Sequence, residues 1–152
     1  MAYRKNQTNR QIVVLALQGM EGETSTGNMS TRGPSAWGNT GAMSRAWANL
    51  FGERFRAGLV QRVIYSYSTP IAWLDAERGW IIPEETYSVT TSGKHQTHLY
   101  RLHGRRIAVP YDATAEDMRR VLMGELVFVT KGYGANRVFI GTRPGPNYAP
   151  EA

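Results

Sequence analysis

The stretch VQRVIYSYSTPIAWL, residues 60–74, decides the fold. From Val63 to Ser68 the side chains alternate in character with a period of two, which is typical of a strand with one buried face. Pro70 has no N–H for a ladder hydrogen bond, so we expect the strand to bend, bulge or lie at an edge there. The stretch therefore predicts a strand in a sheet that covers a core.

The following segment is expected to return along this strand as a hairpin. DAERG, residues 75–79, supplies a turn, and WIIPEETYSVTT, residues 80–91, reads as the second strand. Pro83 again indicates an edge or a bulge. Trp73 and Trp80 lie near the closed end, where we expect them to pair across the strands.

The C-terminal third predicts a strand, a helix and a hairpin. RRIAVPY (105–111) reads as a strand and DATAEDMRRVLMG (112–124) as a helix that ends at its glycine. Thr114 and Asp117 have the spacing of a capping box, with Asp in place of Glu. The helix stripe is Ala115, Met118, Val121 and Leu122. ELVFVTK (125–131) and RVFIGTR (137–143) then predict a hairpin around GYGAN.

The N-terminal part carries weaker signals. Residues 1–10 are polar without periodicity and are expected to form a flexible arm. QIVVLALQ, residues 11–18, is short and rich in aliphatic residues, which favours a buried strand. Residues 19–41 are rich in glycine and hydroxyl residues and read as a long loop, and the proline-rich tail, residues 144–152, is expected to be extended.

Residues 42–55 predict an amphipathic helix. Met43, Trp47, Leu50 and Phe51 fall on one face. An apolar stripe at helical spacing is usually packed on the core, which is the interpretation we favour. The alternative is that Trp47 and Phe51 bind a partner protein.

Together these elements predict a small single α+β domain, residues 11–143, with a mainly antiparallel sheet and two or three short helices. The chain has 152 residues, no cysteine and a net charge of +6, from 18 Lys and Arg against 12 Asp and Glu. The absence of cysteine excludes disulfides and thiol chemistry, and no apolar run approaches the ~20 residues of a spanning helix. We expect a soluble, cytoplasmic protein that is attracted to anionic surfaces.

Two strings in this chain resemble a known family. YSYSTPIAW (65–73) and YSVTTSGKHQ (87–96) are similar to SYxTPIA and YSVTTSKHQ, which occur in this order in a family of unknown function from actinobacterial phages and related mobile elements. Gly93 is an insertion relative to that pattern. The resemblance implies a phage origin and a host-cytoplasm setting, and it implies no activity.

The polar stretch YSVTTSGKHQTH, residues 87–98, is the candidate site. After Gly93, residues 94–103 predict a helix with Ser92 as its N-cap. His95 and His98 would share one face of this helix, but no Cys or carboxylate lies nearby to complete a metal site. SGKH lacks both the first glycine and the final hydroxyl of a phosphate loop. No complete catalytic triad or paired acids are recognisable, so we expect neither an enzyme nor a cofactor.

Anion binding is the functional interpretation that suits this stretch best. A helix start offers backbone N–H groups and partial positive charge, to which hydroxyl and cationic side chains are added. The candidate residues are Thr90, Thr91, Ser92, Lys94, His95, Arg101, Arg105 and Arg106. The alternative is that the hydroxyls only cap the helix. The sequence thus leaves three hypotheses: a phage accessory protein that binds nucleic acid, a module that binds a host or phage protein, and a minor structural protein.

Overall fold

The computed structural model describes residues 3–33, 38–85, 87, 91–132 and 136–148. Nine strands are found in this part of the chain: β1 Arg4–Gln7, β2 Gly22–Thr24, β3 Met29–Arg32, β4 Val60–Ser66, β5 Thr69–Asp75, β6 Gly79–Pro83, β7 Gly104–Ile107, β8 Leu126–Lys131 and β9 Val138–Pro144. The α-helices are α1 Asn9–Leu17, α2 Arg45–Arg56 and α3 Ala115–Leu122. Thr91–His95 forms a π-helical turn that continues into a 3₁₀-helix at Gln96–Arg101, and we call residues 91–101 the junction helix.

The main sheet has seven strands in sequential order, β1 to β7. The pairs β1–β2 and β6–β7 are parallel, and the four pairs between them are antiparallel. β8 and β9 form a separate antiparallel hairpin. The predicted α+β fold with a mainly antiparallel sheet is confirmed.

Helices cover both faces of the main sheet. α2 and α3 pack on one face around Trp47, Trp73 and Met118, and we call this side the α2/α3 layer. α1 and the junction helix pack on the other face around Ile12 and Leu99, and we call this side the α1 layer. Because successive strand residues point to opposite faces, neighbours such as Val63 and Ile64 belong to different layers.

The central strands differ from the single bent strand predicted for residues 60–74. The chain turns tightly at Tyr67 and Ser68, so this stretch forms two paired strands, β4 and β5. Tyr67 adopts φ 54°, and its N–H donates to Asn28 O at 2.6 Å. The hairpin of β5 with β6 is confirmed, but β6 ends at Pro83, short of the strand predicted over residues 80–91. The cross-strand pairing of the tryptophans is wrong: Trp73 pairs with Ile81, and Trp80 pairs with Leu74.

The N-terminal predictions are wrong in three places. Residues 4–7 form β1 instead of a flexible arm, because β2 offers them a parallel edge. Asn9–Leu17 is a helix instead of a strand, and Thr8 caps it reciprocally with Gln11. The long loop of residues 19–41 contains the strands β2 and β3.

The C-terminal predictions fare better. α3 begins at the predicted capping box of Thr114 and Asp117, and Met118, Val121 and Leu122 are buried as expected. Ala115, the fourth member of the predicted stripe, is exposed. The hairpin of β8 and β9 is confirmed. In the part of the chain that the structure describes, no helix is both long and apolar enough to cross a membrane.

Candidate functional site

The junction helix turns its hydroxyl and imidazole groups into the protein. Ser66 Oγ, at the end of β4, lies 2.8 Å from Thr91 Oγ1 and 2.6 Å from His95 Nδ1. These three residues are only 1%, 4% and 3% exposed. The cluster joins β4 to the junction helix by hydrogen bonds, which suits a structural role.

Burial of His95 favours its neutral form. Burial, with the nearby charges of His98 and Lys94, lowers the pKa of His95 below its ordinary value. The ring of Tyr67 lies beside that of His95, with the two centroids 5.9 Å apart and the planes tilted by 46°. Ser66 and His95 resemble the nucleophile and base of a hydrolase only in their distance, because a substrate cannot reach them at this burial.

Ser92 and Gln96 anchor the segment that precedes the junction helix. Ser92 Oγ accepts from the N–H of Tyr87 at 3.1 Å, and Gln96 Nε2 donates to Glu85 O at 3.0 Å. Ser92 therefore satisfies a backbone donor of the preceding segment and not one of the helix itself, so the prediction that it caps the helix is wrong. Thr90 lies outside the described residues.

The predicted basic residues divide between the two faces of the sheet. Arg105 points into the α2/α3 layer, where its guanidinium donates to Leu122 O and Val121 O at 2.6 Å each. These carbonyls end α3, so Arg105 caps that helix. Arg106 points the opposite way and is exposed. Its partner in the register is Ile82, a member of the α1 layer.

Lys94 and Arg101 lie on the same side of the sheet as Arg106. Lys94 is exposed, and its carbonyl accepts from Asn9 Nδ2 at 3.2 Å, which ties the junction helix to the start of α1. Arg101 is partly buried, and its Nε has no hydrogen-bond partner among the described residues. Its guanidinium carbon lies 5.3 Å from the ring centroid of Tyr100, which is 65% exposed.

These positions correct the predicted anion site. Thr91 and His95 are buried and occupied with Ser66, and Arg105 faces the other layer. Lys94, Arg101 and Arg106 remain on one side of the molecule, and we call them the junction face. Tyr100, which sequence reasoning missed, accompanies them. Its position directly before Arg101 was a signal, because an exposed aromatic beside an arginine is a frequent stacking pair.

The candidate partner-binding residues need the same correction. Trp47 and Phe51 are both 0% exposed, and each packs edge-on against the ring of Trp73. The core interpretation of the α2 stripe is confirmed. These two side chains form no binding surface.

A pocket of about 420 Å³ lies between α2 and the start of α3. Arg45, Glu53 and Asp112 surround apolar side chains of both helices there. The pocket lies in the α2/α3 layer, away from the junction face. Among the described residues, no group of three or more His, Cys, Asp or Glu residues could hold a metal ion.

No curated protein and no solved structure matches this chain significantly. A family model does match, over residues 4–119. The matched span runs from β1 into α3 and includes the junction helix, whereas β8 and β9 lie beyond it. The chain therefore belongs to a family of unknown function, DUF8033.

Proposed function

We propose that this protein is a non-enzymatic phage accessory protein that binds nucleic acid through the junction face. The observation that carries the proposal is a concentration of cations without carboxylates. Residues 87–111 contain no Asp or Glu, and three of their cations, Lys94, Arg101 and Arg106, form the junction face. Lys94 and Arg106 are exposed and form no ion pair with the described residues, so their charge is available to a ligand.

The fold supports a continuous contact with a polyanion. The hydrogen bond from Asn9 to the carbonyl of Lys94 sets the first turn of α1, with the exposed Arg10, beside the junction helix. The alternation of β7 turns Arg106 toward the same side. Cations spread over a helix start, a junction and an edge strand suit successive phosphates of a backbone, because such contacts need charge and spacing more than base edges.

Tyr100 supports single-stranded nucleic acid as the ligand. Its ring exposes enough area to stack on a base, and Arg101 adds a cation beside it. Aromatic side chains next to a basic groove bind single strands with little sequence preference, since every base has a π-face. The similarity to the phage family supports a host-cytoplasm setting for this role.

The test is fluorescence anisotropy with labelled single-stranded and duplex oligonucleotides between about 50 and 200 mM salt. We expect the logarithm of the association constant to fall linearly with the logarithm of the salt concentration. In the double variant Lys94→Ala/Arg106→Ala, the slope should be smaller by about 0.7 for each single-strand phosphate that is no longer neutralised. Tyr100→Ala should weaken single-strand binding about fivefold or more, the value of a modest stacking interaction.

A matched control removes two exposed arginines from the other layer. Arg56→Ala/Arg119→Ala lowers the net charge equally, and both residues lie on the helices of the α2/α3 layer. We expect the control to keep the wild-type slope. An equal decrease of the slope in the two double variants would show a non-specific charge effect and refute the junction face. Absence of binding by the wild-type protein at the lowest salt concentration would refute nucleic-acid binding altogether.

A further inference from the structure

Two arginines, Arg78 and Arg105, lie together beside the C-terminal end of α3. Arg78 lies in the turn between β5 and β6, and Arg105 lies on β7. Both line a pocket of about 190 Å³ with Glu77, Gly124, Pro146 and Asn147. The charge of Arg78, after burial, contributes to lowering the pKa of Arg105, which places the two guanidinium groups within electrostatic reach of each other.

Arg105 is fixed in this pocket by its contacts with α3. Its two Nη atoms are occupied by the carbonyls of Val121 and Leu122. These carbonyls neutralise no full charge, since a helix end carries only a partial negative charge. Arg105 therefore holds a positive charge in one place at the wall of the pocket.

Arg78 has donors that the protein does not use. Its Nη2 contacts Met123 Sδ at 2.9 Å, and its Nε is buried without a hydrogen-bond partner among the described residues. A thioether is a weak acceptor, so this contact does not replace a carboxylate. The described residues therefore give the Arg78 guanidinium no strong acceptor.

The carboxylate nearest in sequence is occupied elsewhere. Glu77 Oε1 accepts from Arg54 Nη2 at 2.9 Å, and Arg54 also binds Asp75. Arg78 and Arg105 form no ion pair with any residue that the structure describes. The pocket thus has two guanidinium groups and the polar side chain of Asn147 at its wall, together with the carboxylate of Glu77, which Arg54 binds.

We propose that this pocket, the Arg78–Arg105 pocket, binds the phosphate group of a ligand. A guanidinium presents paired N–H groups that match two phosphate oxygens, and the second arginine supplies charge at short range. The volume accommodates one phosphate group with part of the molecule that carries it. The pocket contains none of the residues of the junction face, so the two proposed sites can be tested independently.

The experiment adds inorganic phosphate, against sodium chloride at equal ionic strength, to the full chain. Binding is followed by the NMR signals of the Asn147 side-chain amide and by the melting temperature. We expect phosphate to shift these signals and to raise the melting temperature of the wild-type protein. In Arg78→Gln, phosphate should bind about tenfold more weakly or worse, because a charge-assisted hydrogen bond is removed.

Lys94→Gln is the matched control, since it removes one exposed cation from the junction face, and it should respond as wild type. A wild-type Asn147 signal unmoved by phosphate would overturn the proposal, as would an Arg78→Gln variant that responds like wild type. Circular dichroism of the variant establishes that it is folded. Competition identifies the source of the phosphate: displacement by adenosine monophosphate supports a small phosphomonoester, and displacement by an oligonucleotide without terminal phosphates supports a polynucleotide backbone.

Discussion

The buried ion pair of Arg54 with Asp75 allows a quantitative prediction for the variant Arg54→Met. Asp75 has 0% of its side chain exposed, and Arg54 has 14%. Arg54 Nε and Nη2 donate to the two carboxylate oxygens at 2.9 and 2.8 Å, so the pair is bidentate. The N–H of Glu77 adds a third donor at 3.0 Å. Methionine keeps the length of the arginine stem but removes the charge.

The expected cost follows from leaving this carboxylate without its cation. Removing one partner of a buried pair costs about 3–5 kcal/mol, because the other charge stays desolvated. The N–H of Glu77 remains, which places the expected loss at the lower end, about 3 kcal/mol. The additional contact of Arg54 with the exposed carboxylate of Glu77 contributes little, about 0.5 kcal/mol at most.

The loss should depend on pH with a definite sign. Burial alone would raise the pKa of Asp75, but hydrogen bonds from Arg54 and from the backbone of Glu77 outweigh it, and the net pKa lies below the ordinary value. The wild-type protein therefore gains stability above the unfolded pKa, about 3.9, and loses it as the pH falls through the folded pKa. Without Arg54, burial dominates and raises the pKa of Asp75. Protonation of Asp75 at acid pH therefore restores part of the stability of the variant. The difference between the two proteins should shrink from pH 7 to pH 4.

Urea unfolding followed by tryptophan fluorescence, at pH 7 and at pH 4, measures both the loss of stability and its dependence on pH. Arg56→Met, at the exposed end of the same helix, should change the free energy of unfolding by no more than about 0.5 kcal/mol. Arg54→Met/Asp75→Asn should recover part of the loss, because the buried charge is gone. A cost for Arg54→Met below about 1 kcal/mol, equal at both pH values, would refute the reasoning.

Two further predictions concern the junction helix and the strand that follows it. Because the pKa of His95 is lowered in the folded state, the unfolded chain binds more protons below its unfolded pKa, so stability should fall from pH 7.5 to pH 5.5. In urea titrations over this pH range, the free energy of unfolding of His95→Gln should fall less than that of the wild-type protein. An equal fall in the two proteins would contradict the lowered pKa of His95. Gly104→Ala should cost about 2 kcal/mol in the same assay, because a Cβ there would lie 2.5 Å from Trp80 O. Gly93→Ala, whose added Cβ meets no atom within 4 Å, should stay within about 0.5 kcal/mol, and similar costs for both would contradict the packing at Gly104.

The elements that were predicted best from the sequence are those with strong local signals, such as a capping box or a turn between two strands. At α3, the capping box of Thr114 and Asp117 starts the helix, and the buried stripe of Met118, Val121 and Leu122 continues it. At β8 and β9, two runs rich in β-branched and aromatic residues on either side of a glycine-rich turn point to the same hairpin. In α3 the local and tertiary preferences coincide, and in the hairpin the two strands pair with each other, so the local sequence suffices to predict both.

α1 shows where a local reading fails. A run of six aliphatic residues is too short for its periodicity to distinguish a buried helix from a buried strand. The decisive signal was the spacing of Thr8 and Gln11, a capping box just before the run. β1 and β2 carried no signal of this kind, because short polar strands are stabilised by the neighbours that they pair with.

The candidate site was only partly readable for a related reason. The sequence placed its residues in one polar stretch or close to it, but it could not show that Thr91 and His95 turn inward to Ser66, a residue 25 and 29 positions away. Nor could it show which of Arg105 and Arg106 points to which face of the sheet, because this depends on the register of β7. The proximity of Arg78 to Arg105 depends on the same register, and no local sequence pattern indicates it.

The division of the core into two layers has a consequence for how such a protein can change over generations. A substitution at Val63 changes the packing against α2 and α3, whereas one at the adjacent Ile64 changes the packing against α1 and the junction helix. Compensating changes can therefore accumulate on one side of the sheet while the other side stays constant.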